Sequence, residues 1–138
     1  MQILEKYFSQ EYLAIAICYE NIGSYYCESH SFEKGIEYEK KALGIRIKKL
    51  EKRHPDIANS YENIGMHYCD VSKYETALKY EKKALKIRKE RFEENPLDVA
   101  QSYENIGKCY CDRNEYKVGL KYEKEALKIR KERFKENP

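Results

Sequence analysis

Three asparagines recur at a fixed interval along the chain. Asn21, Asn63 and Asn105 lie 42 residues apart, each within the pentapeptide YENIG. A side-chain amide carries both donors and an acceptor, so it can hydrogen-bond to a peptide bond. Three such amides, one structural unit apart, would form a ladder along an extended peptide. The alternative is that these amides bond neighbouring units of the same chain to each other.

Further polar residues share a face with each asparagine if the surrounding segments are helical. At 3.6 residues per turn they fall within a stripe roughly 120° wide, which we call the candidate binding face. Its acidic members favour a basic or basic-aromatic ligand, since only Lys108 opposes them, but a solvated acidic face explains the pattern equally well. The candidate binding residues are Asn21, Asn63, Asn105, Glu20, Glu62, Glu104, Ser24, Met66, Lys108, Glu28, Asp70 and Asp112.

No arrangement of residues typical of catalysis or cofactor binding appears in the sequence. It contains no phosphate-binding loop, dinucleotide fingerprint, nucleophile elbow or metalloprotease motif. Cys109 and Cys111, like His67 and Cys69, stand two residues apart and would point to different sides of a helix. Neither pair chelates one metal ion easily. We therefore expect no enzyme activity, no metal site and no cofactor.

Each unit also places a glutamate and an arginine on an otherwise apolar helix face. Partly buried charges persist in proteins when they are paired. We predict a structural ladder of Glu–Arg pairs between neighbouring units, which stabilises the fold; a catalytic carboxylate pair is the disfavoured alternative. The predicted pairs are Glu39–Arg46, Glu81–Arg88 and Glu123–Arg130.

The constant step of 42 residues identifies an internal repeat that must position these side chains. In the middle copy, Tyr61, Ile64 and Tyr68 follow the spacing of one helix face, and a second helical pattern begins at Tyr74. Each copy is therefore predicted to be a hairpin of a first helix of roughly 15 residues and a second of roughly 20. A glycine inside a helix costs about 1 kcal/mol relative to alanine. Gly65 and its equivalents therefore predict a close approach of two helices.

The repeat predicts one all-α domain over residues 1–138, a solenoid of antiparallel helix hairpins. Residues 1–10 align with the ends of the second helices, so we expect them to be the tail of a preceding repeat. The full repeats are predicted at residues 11–54, 55–96 and 97–138. Because one hairpin cannot bury its apolar face alone, stacked neighbours must complete the core.

The charge balance limits the classes of partner. The 27 basic and 24 acidic residues give a net charge of +3, which argues against a dedicated nucleic-acid or membrane binder. No apolar run is long enough to span a bilayer. Five cysteines without a signal peptide predict a reduced, cytoplasmic protein with free thiols. Binding of RNA or an acidic surface by the basic second helices is a minor alternative.

The two-helix unit resembles the tetratricopeptide repeat in a 42-residue form. The segments HPDIANSYENIG and KALKIRKERF are similar to repeats of kinesin light chains. The chain departs from the family pattern at Glu39, Glu81 and Glu123, where an aromatic residue is usual. The residues that carry the resemblance in the middle copy are Tyr61, Ile64, Gly65, Tyr68, Ala77 and Ala84.

This resemblance implies a right-handed superhelical stack whose first helices line a concave groove. It also implies a non-enzymatic protein–protein interaction module, which holds a peptide or short linear motif with the groove asparagines on the peptide backbone. A different reading is a self-associating structural scaffold that stacks through uncapped repeat ends.

Overall fold

Six α-helices follow one another in the computed structural model, which describes residues 2–136. Within that range the structure contains no strand, so the predicted all-α repeat fold is confirmed. The helices are α1 (Gln2–Glu28), α2 (Phe32–Lys49), α3 (Pro55–Asp70), α4 (Tyr74–Glu90), α5 (Pro96–Asp112) and α6 (Tyr116–Glu136).

The helices pack in chain order as three hairpins. Helices α1 and α2, α3 and α4, and α5 and α6 form the hairpins, while α2 packs on α3 and α4 packs on α5 to join them. Each joint buries aliphatic side chains from both helices, such as Leu43 of α2 with Ile64 of α3 and Leu85 of α4 with Ile106 of α5. The core is therefore a chain of similar clusters, one at each joint between hairpins.

Each hairpin turns through the same backbone motif at its tip. The N–H of Lys73 donates to the Tyr68 carbonyl at 2.9 Å, and the N–H of Ser72 donates to the Cys69 carbonyl at 3.0 Å. This is the Schellman arrangement, which places one residue in the left-handed region where glycine is usual. Here that residue is His30, Ser72 or Asn114, with φ between 64° and 68°.

We expect Ser72→Gly to stabilise the protein by about 0.5–1 kcal/mol. The left-handed conformation costs a non-glycine residue roughly 1–2 kcal/mol, part of which is offset by the greater backbone entropy that glycine loses. Thermal unfolding measures the change as a rise of a few degrees in Tm. Lys73→Gly is the control, because Lys73 has φ −92° and gains nothing from glycine. An unchanged or lower Tm for Ser72→Gly would show that this turn is not strained.

Prolines and a histidine set the starts of the later first helices. Pro55 and Pro96 occupy the first positions of α3 and α5, where their missing N–H groups cost nothing. His54 precedes α3, and its Nδ1 accepts a hydrogen bond from the Asp56 N–H at 3.0 Å. The side chain of His54 is therefore the N-cap of α3.

The N-terminal boundary differs from the expected one. The sequence predicts residues 1–10 to be the tail of a preceding repeat, but the described residues 2–10 continue into the first helix without a turn, giving α1 a length of 27 residues. The corners before α3 and α5 each contain a proline, whereas the equivalent positions near Tyr12 and Leu13 do not. Nothing in the local sequence interrupts the helix there.

The glycines lie where the helices of a hairpin cross, as predicted. A Cβ placed on Gly65 would lie 2.8 Å from Cγ of Glu81, and one placed on Gly23 would lie 2.8 Å from the carbonyl oxygen of Gly35. Both distances are shorter than van der Waals contact. The first helix therefore approaches the second closely enough to exclude any side chain at these positions.

We expect Gly35→Ala to destabilise the fold by about 1–3 kcal/mol, because overpacking forces helices apart. The new Cβ would collide with the buried Cys27 Sγ and with the Gly23 carbonyl oxygen. Urea unfolding measures the loss. Gly44→Ala, in the same helix, is the control: its Cβ meets nothing within 4 Å, so alanine should stabilise by about 0.5–1 kcal/mol. Equal effects of the two substitutions would contradict the close crossing.

Candidate functional site

The twelve candidate binding residues occupy the first helices α1, α3 and α5, but their surroundings differ. Ser24 and Asn63 are half-buried, and Glu62 is buried. Most of the other members are exposed. The exposed members are Asn21, Glu28, Met66, Asp70, Lys108 and Asp112.

The glutamates of this face are bound to arginines of the second helices. Arg88 Nη1 donates to Glu62 Oε2 at 2.6 Å, and Arg130 Nε donates to Glu104 Oε1 at 3.1 Å. Arg46 pairs with Glu20 in the same way. The expectation that Glu20, Glu62 and Glu104 add unopposed negative charge to the face is therefore wrong, because each carboxylate has a guanidinium partner from its own hairpin.

The arginines also join each hairpin to the next. Arg46 Nη1 donates to Ser60 Oγ at 2.7 Å, and Arg88 Nη1 donates to Ser102 Oγ at 2.9 Å. Both serines are buried in the first helix of the following repeat. The predicted Glu–Arg ladder between neighbouring repeats is therefore wrong: Arg88 pairs with Glu62 within its own hairpin, and it reaches the next repeat through the hydroxyl group of Ser102. The serines were missed, although their 42-residue spacing in the sequence was a usable signal.

Asn105 takes part in this network. Its Nδ2 donates to Glu62 Oε2 at 2.7 Å, so this amide bonds a neighbouring repeat, as the alternative reading stated. Among the described residues 2–136, the structure gives no hydrogen-bond partner to the side chains of Asn21 and Asn63. The three asparagines are therefore not equivalent: one is committed to the fold and two are available on the candidate binding face.

Glu81 and Glu39 are buried without the predicted arginine pairing. Glu81 lies against Gly65 and is 2% exposed, and its Oε2 atom has no hydrogen-bond partner. Burial, with a smaller contribution from the nearby Glu62 charge, raises the pKa of Glu81 to about 8. The expectation that this carboxylate stabilises the fold as half of an ion pair is therefore wrong. Burial of the ionised form is unfavourable, and Arg88 offsets only part of the cost.

A small cleft opens between α3 and α5 on the candidate binding face. Its volume is about 50 Å³, enough for a few water-sized groups. Four of the twelve predicted residues line it, together with the buried carboxyl group of Glu81. The residues of this α3/α5 cleft are Met66, Cys69, Asp70, Glu81, Asn105, Lys108 and Cys109.

The thiols near this face are poorly suited to chemistry. Burial raises the pKa of Cys27 to about 11 and that of Cys69 to about 12, so both stay protonated at neutral pH. A thiol must be ionised to act as a nucleophile or metal ligand. Within residues 2–136, no cluster of three or more His, Cys, Asp or Glu side chains could hold a metal ion. Nor is any helix in that range long and apolar enough to cross a membrane.

Lysines of the second helices lie over tyrosine rings of the first. Lys40 Nζ donates to the Tyr68 hydroxyl at 2.7 Å, and Lys83 Nζ lies 5.5 Å from the centre of the Tyr61 ring. Such contacts bury the aliphatic stems and leave the charges near solvent. They give part of the basic surface a structural role.

Comparison of sequences identifies the repeat. The family model described as tetratricopeptide repeat matches residues 14–90 and, in a second overlapping match, residues 56–132. Together the matches extend over most of the chain. No curated protein sequence matches the chain significantly.

Solved structures share the fold at low sequence identity. BtubC (BKLC) from P. vanneervenii superposes with a TM-score of 0.81 at 21% identity, over 90% of this chain and 50% of that one. This chain thus spans half the length of BtubC. A Podosopora anserina putative kinesin light chain with nearly identical TPR-like repeats gives a TM-score of 0.76 at 13% identity, over 87% of this chain and 57% of that one. The TPR domain of Arabidopsis FLU gives 0.70 at 19% identity, over 86% and 94% of the respective chains.

Proposed function

Because the chain belongs to the tetratricopeptide repeat family, we propose that it binds a peptide or short linear motif in a groove lined by its first helices. Members of the family are generally non-catalytic modules that bind other proteins. The proposal gives this chain the same general role and locates the ligand on the candidate binding face.

The observation that carries the proposal is a set of polar groups on this face that make no hydrogen bond to the protein itself. The amides of Asn21 and Asn63 have no partner within residues 2–136, and Oε2 of Glu81 has none in the α3/α5 cleft. Exposed amides are tolerated in water, but a buried polar atom without a hydrogen bond is costly. A peptide supplies both donors and acceptors, so it can satisfy all three groups. The rigid helix stack keeps the cost of ordering the site low.

The test is a selection from a library of random dodecapeptides against the 138-residue chain. We expect one shared motif, and we expect the Asn21→Ala/Asn63→Ala variant to bind the selected peptide about 10-fold or more weakly, because each lost hydrogen bond contributes about 1 kcal/mol. These two positions are preferable to Asn105, whose removal would also disturb Glu62.

Asn95→Ala is the control variant, because Asn95 precedes α5 in a turn and its side chain makes no capping bond. Its peptide affinity should equal that of the wild type. Circular dichroism confirms that each variant is folded. Failure to enrich any motif, or equal affinity of the double variant and the wild type, would refute the groove.

A second candidate function is end-to-end association of copies of this chain. Leu120 and Leu127 of α6 are exposed, yet their equivalents Leu78 and Leu85 in α4 are buried against α5. On α1, Ile15 and Ile22 are exposed, whereas the equivalent residues of α3 are buried against α2. The exposed leucines of α6 could therefore pack against the exposed isoleucines of α1 in another copy, as α4 and α5 pack within one chain.

Sedimentation velocity over a range of concentrations tests this second candidate. Association should appear as a mass that rises with concentration, and Leu120→Lys/Leu127→Lys should abolish it. A monomer at all concentrations would refute end-to-end association and would leave peptide binding unaffected.

A further inference from the structure

We propose that the α3/α5 cleft is the subsite for one lysine side chain of the bound peptide, with the carboxyl group of Glu81 as its main partner. This inference rests on the proposed peptide-binding function and adds the chemistry of one ligand position. The sequence also predicted a basic ligand, but partly from Glu20, Glu62 and Glu104, whose carboxylates are paired with arginines. The present inference uses the unpaired carboxyl group of Glu81 instead.

The cleft ends at a buried acceptor that the protein itself does not satisfy. Glu81 is 2% exposed, it lines the cleft, and its Oε2 atom has no hydrogen-bond partner. The Asp70 carboxylate and the Asn105 side chain line the same cleft. An ammonium group is a compact charge with three donors, which suits several acceptors converging on a small volume.

The walls of the cleft suit the aliphatic part of a lysine. Met66 and Cys109 contribute soft apolar surface, and the volume of about 50 Å³ accommodates the ammonium group with its last methylene groups. Lys108 also lines the cleft, but it is exposed and leaves Oε2 of Glu81 without a partner. The cleft therefore has acceptors for a cation, and the chain's own Lys108 does not bind to Oε2 of Glu81.

Charges around Glu81 determine how the subsite responds to a cation. The Glu62 carboxylate repels the charged form of Glu81, and Arg88 stabilises it more weakly because that guanidinium is already bound to Glu62. From α5, Cys109 is neutral at pH 7, Lys108 is exposed at the cleft, and a hydrogen bond from Asn105 lowers the pKa of Glu81 by less than burial raises it. Without a ligand the Glu81 carboxyl group is therefore mostly protonated. Entry of an ammonium group favours the carboxylate and releases this proton.

The preceding joint differs from this one in the residue that faces the buried glutamate. Glu39 is the equivalent of Glu81 and is 0% exposed. His67 of α3 lies next to Glu39, with its Nε2 3.8 Å from Oε1 of the glutamate. The equivalent residue of α5, next to Glu81, is Cys109. The smaller cysteine side chain leaves space that the imidazole fills. This difference supplies a matched control, since Glu39→Gln removes a similar carboxylate at a joint where an imidazole stands in the position of Cys109.

The experiment compares three chains against the dodecapeptide library: the wild type, Glu81→Gln and Glu39→Gln. We expect the wild type and Glu39→Gln to enrich peptides with lysine at one fixed position. Glu81→Gln should lose that preference and bind the selected peptide 10- to 100-fold more weakly. A lysine-to-norleucine version of the selected peptide, tested on the wild-type chain, should show the same loss without any change to the protein.

Calorimetry in two buffers of different ionisation enthalpy gives a second readout. Binding of the lysine peptide at pH 7 should release close to one proton from the wild type and none from Glu81→Gln. If peptides are enriched without a fixed lysine, or if norleucine binds equally well, the subsite is refuted while the groove stands. If no peptide is enriched, both proposals fail.

Discussion

Arg88→Met should lower the free energy of unfolding by about 3–5 kcal/mol, the range for breaking one side of a buried ion pair. The side chains of Arg88 and Glu62 are 6% and 9% exposed, so removal of the guanidinium leaves a carboxylate with almost no access to water. The substitution also removes the hydrogen bonds to Ser102 and Asn59. Urea denaturation followed by circular dichroism measures the loss.

The last repeat supplies a matched control for this prediction. Arg130 and Glu104 form the equivalent pair, but their side chains are 45% and 39% exposed. Arg130→Met should therefore cost no more than about 1 kcal/mol, as is typical of exposed pairs. In the middle repeat, Glu62→Gln added to Arg88→Met should restore at least half of the lost stability, because the stranded charge is gone. If Arg88→Met and Arg130→Met cost the same, burial does not govern the strength of these pairs.

Glu81→Gln should stabilise the protein at pH 8 and have a much smaller effect at pH 5. The folded-state pKa of about 8 lies above the ordinary glutamate value of 4.5, so the folded protein holds a proton that the unfolded chain has released. Stability from this group is complete below pH 4.5 and is lost as the pH rises towards 8. The loss amounts to roughly 3 kcal/mol. Glutamine keeps the shape of the neutral acid and does not titrate.

Thermal unfolding of wild type and Glu81→Gln across this pH range measures the effect. The wild-type Tm should fall relative to that of the variant by about 10 °C between pH 5 and pH 8. Glu123→Gln is the comparison: burial raises the pKa of Glu123 as well, but this residue is exposed on α6, so its effect should be small. Parallel Tm curves for wild type and Glu81→Gln would mean that Glu81 is ionised throughout.

The repeat architecture could be predicted from the sequence because local and long-range signals agree. The 42-residue period, the helix-face spacing of Tyr61 and Ile64, and the conserved position of Gly65 within the repeats all indicate the same hairpin. Where two helix backbones cross closely, no side chain fits, so the position must be glycine. Such a constraint depends on one residue type and can be read without knowing the partner helix.

The partner of each charge could not be predicted in the same way. Arg88 could pair with either of two glutamates. Glu81 lies seven residues earlier on the same helix, and Glu62 lies on the facing helix. A shared helix face suggested the first, but two helical turns hold it too far away, and the crossing of the two helices brings the second within hydrogen-bond distance. The α3/α5 cleft was unpredictable for a similar reason, since it depends on the size difference between His67 and Cys109 at a joint. The N-terminal boundary was misplaced because residues 1–10 align with the ends of the second helices, but the proline corner that ends those helices is missing after them.

The bonds from Arg46 to Ser60 and from Arg88 to Ser102 give both joints the same arginine–serine link. A gene duplication of one 42-residue unit would therefore bring its own arginine to the following repeat and its own serine to the preceding one. The arginine–serine hydrogen bond at the new joint would form at once, with no compensating mutation required. An array with this property can change its length by recombination while the exposed faces of its copies diverge in sequence, because the bond that joins neighbouring repeats is kept.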